Sequence, residues 1–341
     1  MTAANGHPAG DTSVKPISDL RSVTAAASQW LARNRRMALL VVPSAAYLTL
    51  CATVLLGPAG LAIGAMASLA IAILGPRISA DTMLTLYRAE PLGPGQGASL
   101  REIIAALSTR AELAEPPALA IVPSLAAGVF ACGSGRRRAL LITEGLLRRQ
   151  SLPEIAALAA HEIAHMKAGD LPLFSLADAT TRVAQAMFYL GVVLVAASGV
   201  LWLIGEAPLA LLPIVLLLLA PALSSQLQLR LPREHDLAAD LLAARLIGDR
   251  SLVAQLAAAS PTVCGSPIDD LRLPVPQRRV PLPSPLRAHT DGPSRAQTVL
   301  TTAEPHSPLP PLQLKDGPLI SLVGLGPVEM RPRDRWPGLW F

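Results

Sequence analysis

The stretch that decides how this chain is read is Leu158–Asp170, "LAAHEIAHMKAGD". The chain holds only six histidines in 341 residues, yet two stand four apart here, with a glutamate directly after the first. Just upstream, Ser151, Pro153 and Glu154 have the form of a capping box with proline in the first turn. A helix is therefore expected to begin there and to run through both histidines. On such a helix residues four apart sit one turn above each other on the same face, so His161 and His165 can aim their imidazoles at one cation. Zinc accepts imidazole nitrogen, and in catalytic sites it takes three protein ligands and a water. Glu162, beside the pair, is then placed to take a proton from that water and later to return it to a departing amine. The competing reading is a helix that only carries polar residues on one face. Small residues on the other faces (Ala157, Ala160 and Ala164) would let a metal site sit close to packed neighbours, and they favour the metal. Asp170, five residues after His165, is a candidate acceptor for a ligand imidazole N–H, which would set its tautomer and orientation.

A third ligand is needed, and no candidate follows His165 closely. The next polar cluster is "RLPREHDLAADLLAARLIGD" at Arg230–Asp249, strongly helical after its first residues, with Glu234, His235, Asp236 and Asp240. Asp236 and Asp240 are four apart and share a face, whereas Glu234 and Asp240 do not. A carboxylate from this helix would complete a site of two histidines and one carboxylate.

Composition sets the surroundings. A mean hydropathy of +0.44 with only 16% charged residues is wrong for a plain soluble domain and directs attention to apolar runs. The net charge of +5 would suit nucleic acid, but 3% aromatics and no basic stripe interleaved with stacking residues argue against that partner. Cys51, Cys132 and Cys264 are scattered, which fits neither a disulfide framework nor a cysteine-based zinc site.

Two pairs of apolar runs are present: Met37–Leu56 with Leu61–Leu74, and Phe188–Ile204 with Ala207–Leu223. The runs approach the roughly 20 residues that span a hydrocarbon core, though Leu61–Leu74 is short, and a helical hairpin satisfies its backbone internally. Basic residues flank the outer ends of both pairs (Arg36, Arg77, Arg182, Arg230), while the short turns carry none, so the termini and the intervening region are expected to face the cytoplasm. Between the hairpins, Ser99–Arg110 has helical spacing, and Pro117–Ser124 and Arg138–Gly145 read as strands. After Ser260 proline becomes frequent and no helical period survives.

These features resemble the M48 membrane metallopeptidases (HtpX/Ste24-like). The resemblance is carried by "LYRAEPL" (Leu86–Leu92), "AGVFACG" (Ala127–Gly133), "LLITEGLLRR" (Leu140–Arg149), the histidine block, a span pair, "REHDLAAD" and "LRAHTDGPSRAQTVL" (Leu286–Leu300). The chain departs from the family in having Gly128-Val129-Phe130-Ala131 where Asn-Ala-Phe-Ala is usual, and His289-Thr290 where His-Pro is usual. The family's third ligand is the Glu of a Glu-x-x-Ala-Asp run. The matching residue here is Asp236, with Glu234 as the alternative, and Asp240 falls beside the ligands in a supporting position.

The resemblance implies a mainly α integral membrane protein of about four transmembrane helices in two hairpins, with a small α+β zincin-like cytoplasmic catalytic region. The expected boundaries are a polar segment 1–36, hairpins 37–76 and 188–223, a catalytic region 77–187, a ligand-bearing helix 224–260 and a Pro-rich, largely irregular tail 261–341. It also implies a zinc metalloendopeptidase of the bacterial inner membrane that holds one Zn2+ per chain. It would cut membrane or misfolded proteins at the cytoplasmic face, with Glu162 as base and acid, and would need no nucleic acid. Two rivals remain: a catalytically silent membrane scaffold that binds partners through the Pro-rich tail, and a transporter. The transporter fares worse because no span carries an intramembrane charge.

Overall fold

At Gly57 the backbone takes a positive φ of 64°, and Pro58 follows in the first helical turn, so the apolar run breaks and folds back on itself. The helices on either side are α1 (Arg35–Leu56) and α2 (Pro58–Leu74), the latter prolonged to Arg77 by a 3-10 turn. They pack at glycine distance. A Cβ on Gly60 would run into the Ala52 carbonyl, and one on Gly64 would stand 2.7 Å from Thr49 Cα. Close backbone approach of this kind holds helices together in lipid, where apolar burial supplies no drive. The Ser68 hydroxyl adds a bond to the Ala45 carbonyl (3.2 Å).

The computed structural model describes residues 35–93, 97–124, 127–135, 137–231, 234–259, 286, 292–302 and 310–312. After the first hairpin come α3 (Ala80–Leu86), β1 (Glu90–Pro91), α4 (Ala98–Arg110), β2 (Ala118–Val122), β3 (Val129–Ser134) and β4 (Arg137–Thr143). Then follow α5 (Glu144–Arg149), α6 (Leu152–Ala168), α7 (Leu171–Leu203), α8 (Leu211–Leu229), α9 (Glu234–Ile247), α10 (Arg250–Ala259) and α11 (Gly292–Thr301). The described residues are mostly helical, and α1, α2, α7 and α8 are long and apolar enough to cross a membrane.

The strands form one mixed sheet in the order β1-β2-β4-β3. β2 and β4 run parallel, and the other two pairs are antiparallel. Side chains alternate across it with the two-residue period of a strand. Leu119, Ile121, Ala131, Leu140 and Ile142 face the main core with α4 and α6. Ala120, Val122, Phe130, Cys132, Ala139 and Leu141 face α3, around Met83 and Tyr87. The sheet thus presents its β3 edge to α6.

Ser151 starts α6 as expected, its N–H and hydroxyl both donating to Glu154 Oε2 at 2.7 Å. At the other end Gly169 has φ +82°, and the Gly169 and Asp170 N–H groups both return to the His165 carbonyl (3.1 Å each). This left-handed terminator reverses the chain, and glycine enters that conformation without a side-chain clash.

Three features differ from the sequence expectation. The third span is only the far part of α7, whose 33 residues extend about 50 Å, well beyond a hydrocarbon core of about 30 Å. Its first turns carry buried Ser175, Asp178 and Thr180 and belong to the domain that holds α6. The fourth span is shifted: α8 continues to Leu229 because Gln228 turns inward, its amide donating to Thr181 (2.9 Å) and its carbonyl accepting from Leu286 N–H (3.3 Å). Within the expected irregular tail, α11 is a regular helix seated on α10, with Gly292 against the Ala257 carbonyl and with Ala296 and Val299 buried. Leu312 N–H also bonds the Ile247 carbonyl (3.0 Å). The polar segment 1–34, His289 and "DRWPGLWF" lie outside the described residues.

Replacing Gly60 with valine is expected to destabilise the chain by about 1–3 kcal/mol, since the first hairpin must part to admit the side chain. Thermal unfolding of the detergent-solubilised protein, followed by circular dichroism, measures this.

Candidate metal centre

Helices α6 and α9 lie against each other in opposite directions, and each carries a pair of polar residues four apart on the shared face. The pairs meet as two rungs. His161 Nδ1 stands 2.8 Å from Asp240 Oδ1, and His165 Nε2 stands 3.9 Å from Asp236 Oδ1. Glu162, His161, His165, Asp236 and Asp240 are all buried. Charged groups survive such burial only when paired or bound to a metal.

The terminator at Gly169 swings Asp170 back beneath the helix, where its Oδ2 lies 2.9 Å from His165 Nδ1. Both imidazoles therefore offer Nδ1 to a carboxylate, which assigns the ring proton there and leaves Nε2 to face inward. The two Nε2 atoms face each other at 3.1 Å. Two neutral rings held this way oppose lone pairs at hydrogen-bond distance, an arrangement that a shared cation or proton must relieve. Nitrogens bound tetrahedrally to one zinc at about 2.0–2.1 Å would lie about 3.3–3.4 Å apart, so the pair fits that ion with little movement. Among the described residues no group of three or more His, Cys, Asp and Glu side chains is already drawn into a closed donor set. Asp236 would have to advance by about half an ångström to join the pair. Glu234 begins α9, and its side chain lies outside what the structure describes.

Glu162 points toward the sheet: its Oε2 accepts the Ala131 N–H of β3 at 2.7 Å. The carboxylate next to the histidine pair is thus held by backbone. Burial disfavours the charged form of His165, but the Asp170 carboxylate, together with Glu162 and Asp236, outweighs it and sets the imidazole pKa above its ordinary value. Burial would likewise raise the Asp240 pKa, yet His161 and Arg295 hold it below the usual carboxylate range. Burial carries His235 the other way, below the usual imidazole value, against the pull of Asp236.

Three participants were not assigned roles from sequence. Arg295 of α11 grips Asp240 with two nitrogens, Nε to Oδ2 and Nη2 to Oδ1, both at 2.8 Å, and is itself buried. A fork of this kind fixes carboxylate geometry more firmly than a single contact. It extends the line His161–Asp240 to a residue 55 positions further along the chain. Phe174, in the first turn of α7, sets its edge against the His165 ring with centroids 5.0 Å apart. His235 stands with its ring 5.8 Å from that of His165 and its Nε2 3.4 Å from Asp236 Oδ1. Arg295 lies in the Leu286–Leu300 block that carries part of the resemblance, but residue spacing alone gives it no role.

Two carboxylate-braced histidines on one helix turn, a glutamate between them and further carboxylates on a facing helix define the class, and comparison with known proteins agrees. Residues 94–303 match the family described as peptidase family M48, and the chain belongs to that family. Its relatives are of the HtpX type. The chain is 32% identical to the Protease HtpX homolog of Acaryochloris marina over 210 residues, covering 59% of this chain and 69% of that protein. It is 30% identical to the protein of the same name from Trichormus variabilis over 231 residues, covering 65% of this chain and 77% of that one. The corresponding figures for Desulfatibacillum aliphaticivorans are 28% over 222 residues, 62% and 68%. Family and apolar helices together support a membrane protease that works with a metal.

Arg295→Leu leaves Asp240 buried without its fork and is expected to lower stability by about 3–5 kcal/mol. The double change Asp240→Leu/Arg295→Leu removes both charges and should cost less than the sum of the single changes. Unfolding of the three variants, compared in one detergent, measures the coupling.

Proposed function

We propose that the chain is a zinc-dependent endopeptidase in which His161, His165 and Asp236 hold the metal and Glu162 is the general base and acid. The observation that carries this reading is the pair of inward-facing Nε2 atoms at 3.1 Å, each ring braced from behind by a carboxylate. The bound metal would supply Lewis acidity, polarising the scissile carbonyl and making water acidic near neutral pH. The chain's own residues do the rest. Asp240 and Asp170 keep the Nδ1 protons in place, so that Nε2 remains a lone-pair donor on both rings. Arg295 keeps Asp240 from turning away. Glu162, anchored through Oε2 to Ala131, receives a proton from the attacking water and delivers it to the amine that leaves. The low dielectric of the buried site strengthens each of these contacts.

The substrate reading follows the setting. The four apolar helices are taken to cross a bacterial inner membrane, with α3 to α6 and α9 to α11 on the cytoplasmic side by the distribution of arginines. Membrane or misfolded proteins that approach along that face would be the substrates. The gap of 3.9 Å between Asp236 and His165 favours a second reading, a scaffold that keeps the fold without closing the metal site.

Zinc content and proteolysis, measured side by side, separate the two. Detergent-purified wild type and Glu162→Gln should each hold close to one zinc, and only the wild type should digest casein, with the variant slower by about 10²–10⁴-fold. Absence of zinc from both proteins would leave the scaffold. Asp236→Ala should lose the metal while Glu234→Ala keeps it, and the reverse pattern would transfer the ligand role to Glu234. Asp236→Glu, one methylene longer, is expected to retain zinc at least as tightly as the wild type. Equilibrium dialysis against zinc tests this without reference to activity.

A further inference from the structure

The two hairpins are closely packed internally, but between them lies a partly open cavity of about 460 Å³. It occupies the half of the helix layer nearest the candidate metal centre, walled by Val41 and Leu48 of α1, Ile71 of α2, Val183 and Met187 of α7, and Leu227 of α8. Three of the hydroxyls on its wall are bonded to backbone, Tyr47 donating to the Leu216 carbonyl, Ser68 to Ala45 and Thr180 to Ala177, and Ser224 accepts from the Gln228 amide; Ser44 and Gln226 also line it. The cavity therefore presents mainly hydrocarbon to its contents. Its charged lining residue is Arg230, at the end of α8. Among the described residues no carboxylate lines the cavity, and no carboxylate forms an ion pair with Arg230.

The lining runs along the roughly 15 Å of α8 between Ala220 and Arg230, room for a single hydrocarbon chain. A basic residue at a helix C-terminus is ordinary. Arg230 is distinguished by standing at the polar end of an apolar slot, where an anionic headgroup would sit if the chain below it were in place. We propose that the inter-hairpin cavity binds one acyl chain of an anionic phospholipid drawn from the surrounding bilayer, with its headgroup at Arg230. This rests on the reading of α1, α2, α7 and α8 as membrane spans. The site has a direct route to the metal centre, because the last turn of α8 lines the cavity and the chain passes within four residues into α9, which bears Asp236 and Asp240.

Native mass spectrometry of the full chain in mild detergent tests this with three added probes: phosphatidylglycerol, phosphatidylcholine with the same acyl chains, and oleate. One phosphatidylglycerol should be retained about fivefold better than phosphatidylcholine, and Arg230→Gln should remove the preference. Equal retention of the two phospholipids overturns the proposal, and oleate held as well as phosphatidylglycerol makes a free fatty acid the guest instead. Ala184→Trp should fill the cavity and abolish retention. Because that variant risks misfolding, the wild type in nanodiscs is also labelled with a phosphatidylglycerol carrying an acyl-chain diazirine. Label on Val183, Met187 or Ala220 supports the site, whereas label confined to outward residues such as Leu61 and Val193 defeats it. Displacement of the label by a hydrophobic substrate peptide, with no lipid preference, would assign the cavity to substrate. Alkaline carbonate extraction tests the membrane reading separately: a chain released by carbonate defeats that reading, whereas one that stays in the membrane but shows no lipid preference defeats only the lipid site.

Discussion

The arrangement on which the site depends is the confrontation of two imidazole nitrogens at 3.1 Å in a buried setting. Left alone, it is unfavourable, because each ring is oriented by a carboxylate that directs the other nitrogen's lone pair at its neighbour. The surroundings are built to hold it nonetheless. Asp170 is brought back by a glycine terminator, Asp240 is gripped by Arg295, and the Phe174 ring packs nearly perpendicular to that of His165. Such over-determination of an unfavourable local geometry fits the metal-binding role proposed for the pair, because it removes the conformational freedom of both rings beforehand.

The chain order then has a physical reason. The two helices that face each other across the site, α6 and α9, are separated in sequence by the second hairpin. A rigid route must therefore leave the domain after His165 and return just before Asp236. α7 provides the outward leg as one unbroken helix of 33 residues whose first turns are still part of the site. α8 provides the return leg, with Gln228 bonded to α7 at Thr181 so that the two legs stay in register where they re-enter the domain. Displacement of the hairpin legs would therefore be felt at the rung between His165 and Asp236, the looser of the two.

Much of this was legible in the residues, for reasons of periodicity. The four-residue spacing of His161 with His165 and of Asp236 with Asp240 identifies two helix faces, the short apolar runs bounded by Pro, Gly and Ser at Pro117–Ser124 and Arg138–Gly145 identify strands, and the longer apolar runs identify the hairpins. What escaped was whatever local pattern does not encode. The length of α7 was hidden because its first turns are polar enough to read as part of the globular region. β3 is flanked by Gly128 and Gly135 and interrupted by Gly133. Arg295 sits on a ten-residue helix with only a few apolar positions, following a Pro-rich stretch, and its partner is 55 residues away. A contact that exists only through tertiary folding leaves no periodic trace.

The difference between the two rungs carries a further consequence. His161 and Asp240 are joined at 2.8 Å and locked by Arg295, whereas His165 and Asp236 stand 3.9 Å apart, with His235 and Phe174 beside them. The third donor proposed at Asp236 would close on the pair by a small shift of its side chain or of the start of α9. The end of α9 near Asp240 is clamped, which leaves its beginning, just after α8, as the part able to adjust. The start of α9, which carries the proposed third donor, follows directly on the turn of α8 that lines the inter-hairpin cavity, so a guest that displaced that turn would bear on the looser rung.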